Sequence, residues 1–219
     1  MTFANRLDAG RQLGAALLVR RPADPIVVGI LRGGVPVAAE VAHVLHAPLE
    51  ICVVRKLFSP GSPSFAIGAI AERDAVYLDD AEIAKLGLSP TDVKRAIALE
   101  LFEVARLGEL LRDGPAVSLN SRNAILVDDG VTTVDTLLAA MRSVRAQKAA
   151  SITLAVPLGN SALVERLRSE FDGVVCLVAE DMLVALGSRY RDFWPVSESE
   201  VAAVLAGARR ETLPQRRAS

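Results

Sequence analysis

Aromatic residues are scarce: six Phe, two Tyr and one Trp, 4% of the 219 residues. The core must therefore be built from Val, Leu, Ile and Ala, which suits a parallel sheet covered on both faces by helices. Cysteine is scarcer still. Cys52 and Cys176 each sit inside an apolar run, with no partner Cys or His at ligand spacing. They read as buried strand residues of a reducing compartment, not as a disulfide or a metal cluster. His43 and His46, the only histidines, lie three apart without a third ligand near them in sequence. An excess of one charge is missing too. The net charge is −1, and the basic pairs Arg20–Arg21, Arg209–Arg210 and Arg216–Arg217 are scattered. That argues against a nucleic-acid or anionic-membrane partner. No apolar run approaches the length of about 18 residues that a spanning helix needs. The early apolar patch at 13–19 has no small-residue cleavage site. The expectation is a cytoplasmic protein. Glycine (15) and proline (11) occur at ordinary levels, so neither disorder nor low complexity is indicated.

What is there fits one domain over 1–219, long enough to bury roughly 70% of its unfolded surface. A mean hydropathy of +0.34 calls for a large core or a buried oligomer interface. Apolar runs at 26–30, 49–54, 124–127, 152–156 and 174–178 read as buried strands, the fourth closed by Pro157. Helical spacing covers 5–18, 37–45, 134–145, 162–168 and 198–205. Ser89-Pro90-Thr91-Asp92 starts a further helix that runs to about Arg112 and is stopped by Asp113-Gly114-Pro115. The stretch 56–64, with Ser59-Pro60-Gly61-Ser62-Pro63, reads as a loop, and 66–70 with 75–78 as a short hairpin. From 207 onward the chain reads as a frayed polar tail. Strands alternating with helices give an α/β fold with an open, mostly parallel sheet and right-handed crossovers.

The most informative segment is Ile125-Leu126-Val127-Asp128-Asp129-Gly130-Val131-Thr132-Thr133-Val134-Asp135-Thr136. A buried strand delivers two carboxylates to its C-terminal edge, where open α/β sheets bind ligands. A hydroxyl-rich turn and a helix start follow, a cradle for phosphate. Adjacent carboxylates hold ribose hydroxyls and attract Mg²⁺. Taken alone, the segment also reads as an acidic strand end before a Thr-capped helix. The pattern resembles the phosphoribosyl-pyrophosphate signature of type I phosphoribosyltransferases. A second segment, Leu31-Arg32-Gly33-Gly34 after the first strand, offers close backbone approach to an anion plus one cation. In that family the corresponding turn is the pyrophosphate loop, and the order here matches. A third segment, Arg55-Lys56 before the Pro-rich loop and Gly68-Ala69-Ile70-Ala71-Glu72, resembles a branch of the family whose substrate is unassigned. Tyr190-Arg191-Asp192-Phe193-Trp194 and 198–201 fit that branch as well, so the resemblance runs from Phe3 to about Leu205.

The resemblance implies a single-domain type I phosphoribosyltransferase fold with a Rossmann-like core and a small C-terminal hood. It implies a homodimer and a phosphoribosyl transfer from Mg²⁺–phosphoribosyl pyrophosphate to a small nitrogenous acceptor. Asp128 and Asp129 would hold the ribose hydroxyls and, through these or water, the Mg²⁺. The turn Gly130, Val131, Thr132, Thr133, Val134, Asp135, Thr136 would take the 5-phosphate. Leu31, Arg32, Gly33 and Gly34 would hold pyrophosphate, with Arg55 and Lys56 over the leaving group and the 56–64 loop as a lid. Phe193 or Trp194 of the hood would either stack on the acceptor or fill a core or interface position. The family usually has glycine where Val134 stands, and a β-branched residue tolerates positive φ badly. Asp135 within about 5 Å of a phosphate charge would repel it by about 3 kcal/mol at an effective dielectric of about 20. The alternative implied by this departure is a non-catalytic phosphoribosyl- or nucleotide-binding protein on the same fold.

Overall fold

The computed structural model describes residues 3–20, 23–112, 114–183 and 185–212. Chain order is α1 (Arg6–Leu18), β1 (Pro25–Ile30), α2 (Gly34–Leu45), β2 (Leu49–Cys52), β3 (Val54–Ser59), β4 (Ser62–Ala71), β5 (Ala75–Leu78), α3 (Asp80–Lys85), α4 (Pro90–Leu111), β6 (Asn123–Val127), α5 (Asp135–Ala146), β7 (Ser151–Asn160), α6 (Ser161–Leu167), β8 (Gly173–Glu180) and α7 (Glu198–Thr212). A short 3-10 helix, Leu186–Arg189, precedes α7.

Five strands form a parallel sheet in the order β2-β1-β6-β7-β8. Alternation along each strand splits the core into two layers. Val27, Ile51, Ile125 and Val127 face α1, α2, α4 and α7. Ile26, Val28, Leu126 and Leu154 face α5 and α6. Cys52 lies in the second layer, and burial pushes its thiol up to about 12. The sheet order reverses between β1 and β6, paired from Pro25↔Asn123 to Gly29↔Val127. Both ligand-signature turns leave the C-terminal ends of these two strands, so the topology sets them side by side.

Several sequence expectations change. The strand expected at 49–54 is broken at Val53, and the expected loop at 56–64 is instead the β3–β4 hairpin. Its tip is Pro60-Gly61, with Gly61 at φ +81 and Ser59 paired to Ser62. Proline then glycine at the two central positions suits a tight turn, so the dense Pro/Gly signal marked a two-residue tip. β3, β4 and β5 make a separate antiparallel sheet. β7 continues through Pro157 to Asn160. The Ala155 carbonyl accepts from Asp128 N–H at the end of β6, and beyond Pro157 the Leu158 carbonyl and the Asn160 N–H pair with Val131. Proline's missing N–H falls where the β6–β7 pairing ends, at Val127↔Ala155. The tail expected from 207 is helical through 212, because Val201, Leu205 and Ala208 repeat on one face and pack into the first core layer. Residues 213–219 and Asp113 lie outside the described residues. Helix α3 leaves no apolar pattern in the sequence, since its six residues bury nothing.

Candidate functional site

The glycine turn packs directly on the acid turn. A Cβ at Gly33 would overlap the Asp129 carboxylate. A Cβ at Gly34 would lie 2.6 Å from the Val127 carbonyl and 2.9 Å from the Asp128 Cα. Any side chain at either position would push the two turns apart, so here glycine is required by close approach. The Leu31–Arg32 peptide is cis.

The two acids differ in their surroundings. Asp129 is 8% exposed. Its Oδ2 accepts from Arg6 Nε at 2.8 Å, and its backbone carbonyl accepts from the Tyr190 hydroxyl at 2.7 Å. Asp128 is partly buried, and its Oδ1 accepts from the Asp129 N–H at 2.9 Å. Burial, then the adjacent Asp129 charge, pushes the Asp128 carboxyl well above the usual range, while Arg6 works in the other direction. Burial, then Asp129, also raises the Tyr190 hydroxyl.

The phosphate-type turn is stapled to β7. Val131 is fully buried, donates to the Leu158 carbonyl at 2.9 Å and accepts from Asn160 N–H at 3.1 Å. Val134 is the N-cap of α5 at φ −96, ψ −19 and is 5% exposed within the second core layer. The expected conflict between a β-branched residue and positive φ therefore does not arise. Helix α5 has no side-chain cap bond, which leaves first-turn N–H groups available. Thr132 is exposed, and Thr133 and Thr136 are partly buried. Asp135 is partly buried, and its carboxyl is raised by burial, then by Asp79, against the pull of Lys56 and Arg166.

Arg55 and Lys56 are adjacent in sequence but face opposite sides of β3. Arg55 pairs with Glu100 of α4 at 2.7 Å. Lys56 shares its face with Ala69 and Tyr77 along one row of the antiparallel sheet, and its charge acts on Asp135. Both still line one cleft of about 240 Å³ with Leu31 and Arg32. The hood residues also divide. The Phe193 ring stacks on Tyr190 at 4.8 Å, with the Arg6 guanidinium carbon 3.8 Å from its centroid. It is a packed member of the hood, one of the two roles that the sequence leaves open. Trp194 is 79% exposed.

Sequence reasoning missed Arg6. It belongs to no motif, and its partner lies far along the chain, so no local signal marks it. Glu72 of the Ala71-Glu72 segment proves to serve elsewhere. It pairs with Arg112, which also binds Glu50 at 2.8 Å and the Ile51 carbonyl at 2.8 Å. Burial works against the Arg112 charge, but Glu72 and Glu50 more than offset it, and its pKa is raised.

The pattern of the phosphoribosyl transferase domain matches residues 14–188. Two Mycobacterium tuberculosis proteins that carry the provisional name phosphoribosyl transferase are 40% identical over 210 residues, 95% of this chain and 47% of theirs. The chain thus spans about half the length of the curated relatives it matches. A crystal structure from Thermus thermophilus superposes with a TM-score of 0.80 at 33% identity, covering 94% of this chain and 99% of that one. An Aquifex aeolicus structure shares the fold alone, at a TM-score of 0.51 and 10% identity over 82% of this chain and 77% of its own. With the glycine turn and the acid turn meeting at the switch point of its parallel sheet, this chain belongs to the phosphoribosyl transferase domain family.

Proposed function

We propose that the chain transfers the 5-phosphoribosyl group from phosphoribosyl pyrophosphate to a small nitrogenous acceptor, with release of pyrophosphate. The observation that carries this reading is the close packing of Gly33 and Gly34 on Asp128 and Asp129 at the β1/β6 switch point. A ligand seated there meets a carboxylate for its ribose hydroxyls, with anion-binding turns on either side. Asp128 binds the ribose hydroxyls and stabilises positive charge developing on the ring. The N–H groups at the α5 start, with Thr132, Thr133 and Thr136, take the 5-phosphate. Arg32 and Lys56, with Arg55 across the cleft, face the pyrophosphate, whose departure they favour electrostatically. The acceptor nitrogen forms the new bond to C1 as the C1–oxygen bond to pyrophosphate breaks. No covalent intermediate with the protein is needed, so catalysis is positional and electrostatic.

Among the described residues no group of three or more His, Cys, Asp or Glu could hold a metal ion. The donor set at the site suits a Mg²⁺ carried in on the phosphates and steadied by Asp128 through ribose hydroxyls or water. When bound, Mg²⁺ would supply charge neutralisation on the pyrophosphate. A second reading, phosphoribosyl binding without turnover, is favoured by Asp135, whose carboxylate lies at the start of the phosphate-binding helix. Calorimetric titration of phosphoribosyl pyrophosphate with Mg²⁺, followed by a screen of nucleobase acceptors for pyrophosphate release, separates the two. Magnesium-dependent binding with release supports transfer. Binding with no release from any acceptor supports the second reading. No binding of phosphoribosyl pyrophosphate, ribose 5-phosphate or 5′-nucleotides overturns both.

A further inference from the structure

Residues 3–6 and 189–194 form one hydrogen-bonded unit. Phe3 N–H donates to the Arg189 carbonyl at 2.9 Å, Arg191 N–H to the Phe3 carbonyl at 2.9 Å, and Asp192 N–H to the Ala4 carbonyl at 3.0 Å. The Phe3 ring packs tilted on Tyr190 at 5.4 Å, and Tyr190 stacks on Phe193 at 4.8 Å. Arg6 closes the unit by donating from Nη1 to the Trp194 carbonyl at 2.7 Å while lying over the Phe193 ring. This assembly meets the acid turn at one residue. Arg6 Nε binds the Asp129 carboxylate, and the Tyr190 hydroxyl binds the Asp129 carbonyl. The side chains of Arg6 and Asp129 are 11% and 12% exposed, so this is a largely desolvated ion pair. On its far side the same carboxylate abuts the Gly33 turn. Asp128 lacks the arginine: its Oδ1 lies against the Gly34 turn and takes the Asp129 N–H, and its Oδ2 takes no hydrogen-bond donor from the described residues.

We propose that the two acids divide their labour, with Asp128 receiving the ribose and Asp129 acting through Arg6 as the clamp that seats the hood on the site. Arg6 is then a positioning residue. It sets where the exposed Trp194 and its turn stand relative to the bound ribose, and through them the space left for the acceptor. The clamp follows from the contacts themselves. Only the role given to Asp128 rests on the donor-site reading above.

Trp194 is the sole tryptophan, so its fluorescence anisotropy reports the hood turn without a label. The full chain is compared with Arg6→Met, Asp129→Ala, their double variant, Arg6→Lys and Asp128→Asn. Affinity for ribose 5-phosphate is measured by calorimetry without metal. Arg6→Met and Asp129→Ala are each expected to lower the anisotropy, and the double variant to lower it no further than the larger single effect. Arg6→Lys recovers part of the loss, because it keeps the charge but cannot reach both partners. Asp128→Asn leaves the anisotropy unchanged and weakens ribose 5-phosphate about tenfold or more, well beyond the loss in Arg6→Met. Asp129→Asn, which removes the charge that Arg6 pairs with, replaces the alanine variant if that one does not fold, with a smaller loss of anisotropy in the same direction. Unchanged anisotropy in Arg6→Met, or additive losses in the double variant, would overturn the clamp. Asp129→Ala matching Asp128→Asn in lost affinity, with the anisotropy intact, would overturn the division. If the wild type binds no ribose 5-phosphate, the donor-site reading fails, and the anisotropy cycle still decides the clamp.

Discussion

Two partly buried arginines hold this molecule together in different ways. Arg112 is saturated: it binds Glu50, Glu72 and the Ile51 carbonyl, and Glu50 also accepts from the N–H groups of Ile51 and Val117. The network sits away from the acid turn and ties α4 to β2 and the end of β4. Arg6 binds one carboxylate and one carbonyl, and its carboxylate stands at the ligand end of β6. A desolvated charge is stable only when its partners are complete. The closed network therefore serves the fold. The open one lies where ligand binding and hood position meet, and the same ion-pair chemistry does different work beside the edge strand β2 and at the ligand end of the central strand β6.

Removing one partner should break that comparison most sharply at Arg112. Arg112→Ala leaves Glu50 and Glu72 uncompensated and is expected to lower unfolding stability by about 3–5 kcal/mol. Urea denaturation measures this, and a loss no larger than that of Arg6→Met would erase the distinction. Val134→Gly comes next. The side chain is a packed N-cap, so glycine there should cost about 2 kcal/mol of stability and bring no gain in ribose 5-phosphate affinity. A clear gain in calorimetry would return the phosphate-turn departure to Val134. Asp128→Asn should lower ribose 5-phosphate affinity by about 1.5–3 kcal/mol with little change in melting temperature, the reverse of the Arg112 pattern. The smallest effect is expected at Asp135. Its carboxyl is raised in the folded state, so its contribution to stability is full below the usual carboxylate range near pH 4 and is lost as pH rises through the raised value. Asp135→Asn should remove that slope and tighten ribose 5-phosphate most at neutral pH. Parallel denaturation and binding curves between about pH 4 and 8 test it, and an unchanged slope would mean that another group titrates there.

The parallel sheet was legible because its strands are short apolar runs with helices between them, a pattern written in neighbouring residues. The acid and glycine turns were legible for the same reason: each is a contiguous segment at a strand end. The β3–β4 hairpin is not legible in the sequence, because Pro and Gly mark a tight turn and a long loop alike, and only strand pairing tells them apart. Adjacency in sequence does not show that a strand sends Arg55 and Lys56 to opposite faces, nor that both still line one cleft with Arg32. The role of Phe193 stays open in the sequence, because an aromatic near the hood carries no sign of what covers it; packing on Tyr190 and Arg6 decides it.

By itself the sequence determined the α/β layering, the order of the two ligand turns and the acids at the end of β6, since periodicity and turn chemistry are local. Tertiary structure alone decided that Gly33 and Gly34 lie against Asp128 and Asp129, and that Val134 needs no positive φ. It also decided that Asp129 is held by an arginine from the start of the chain. Those facts depend on which segments meet in space, and contacts between residues so distant in sequence are set by how the layers pack, which no local pattern encodes.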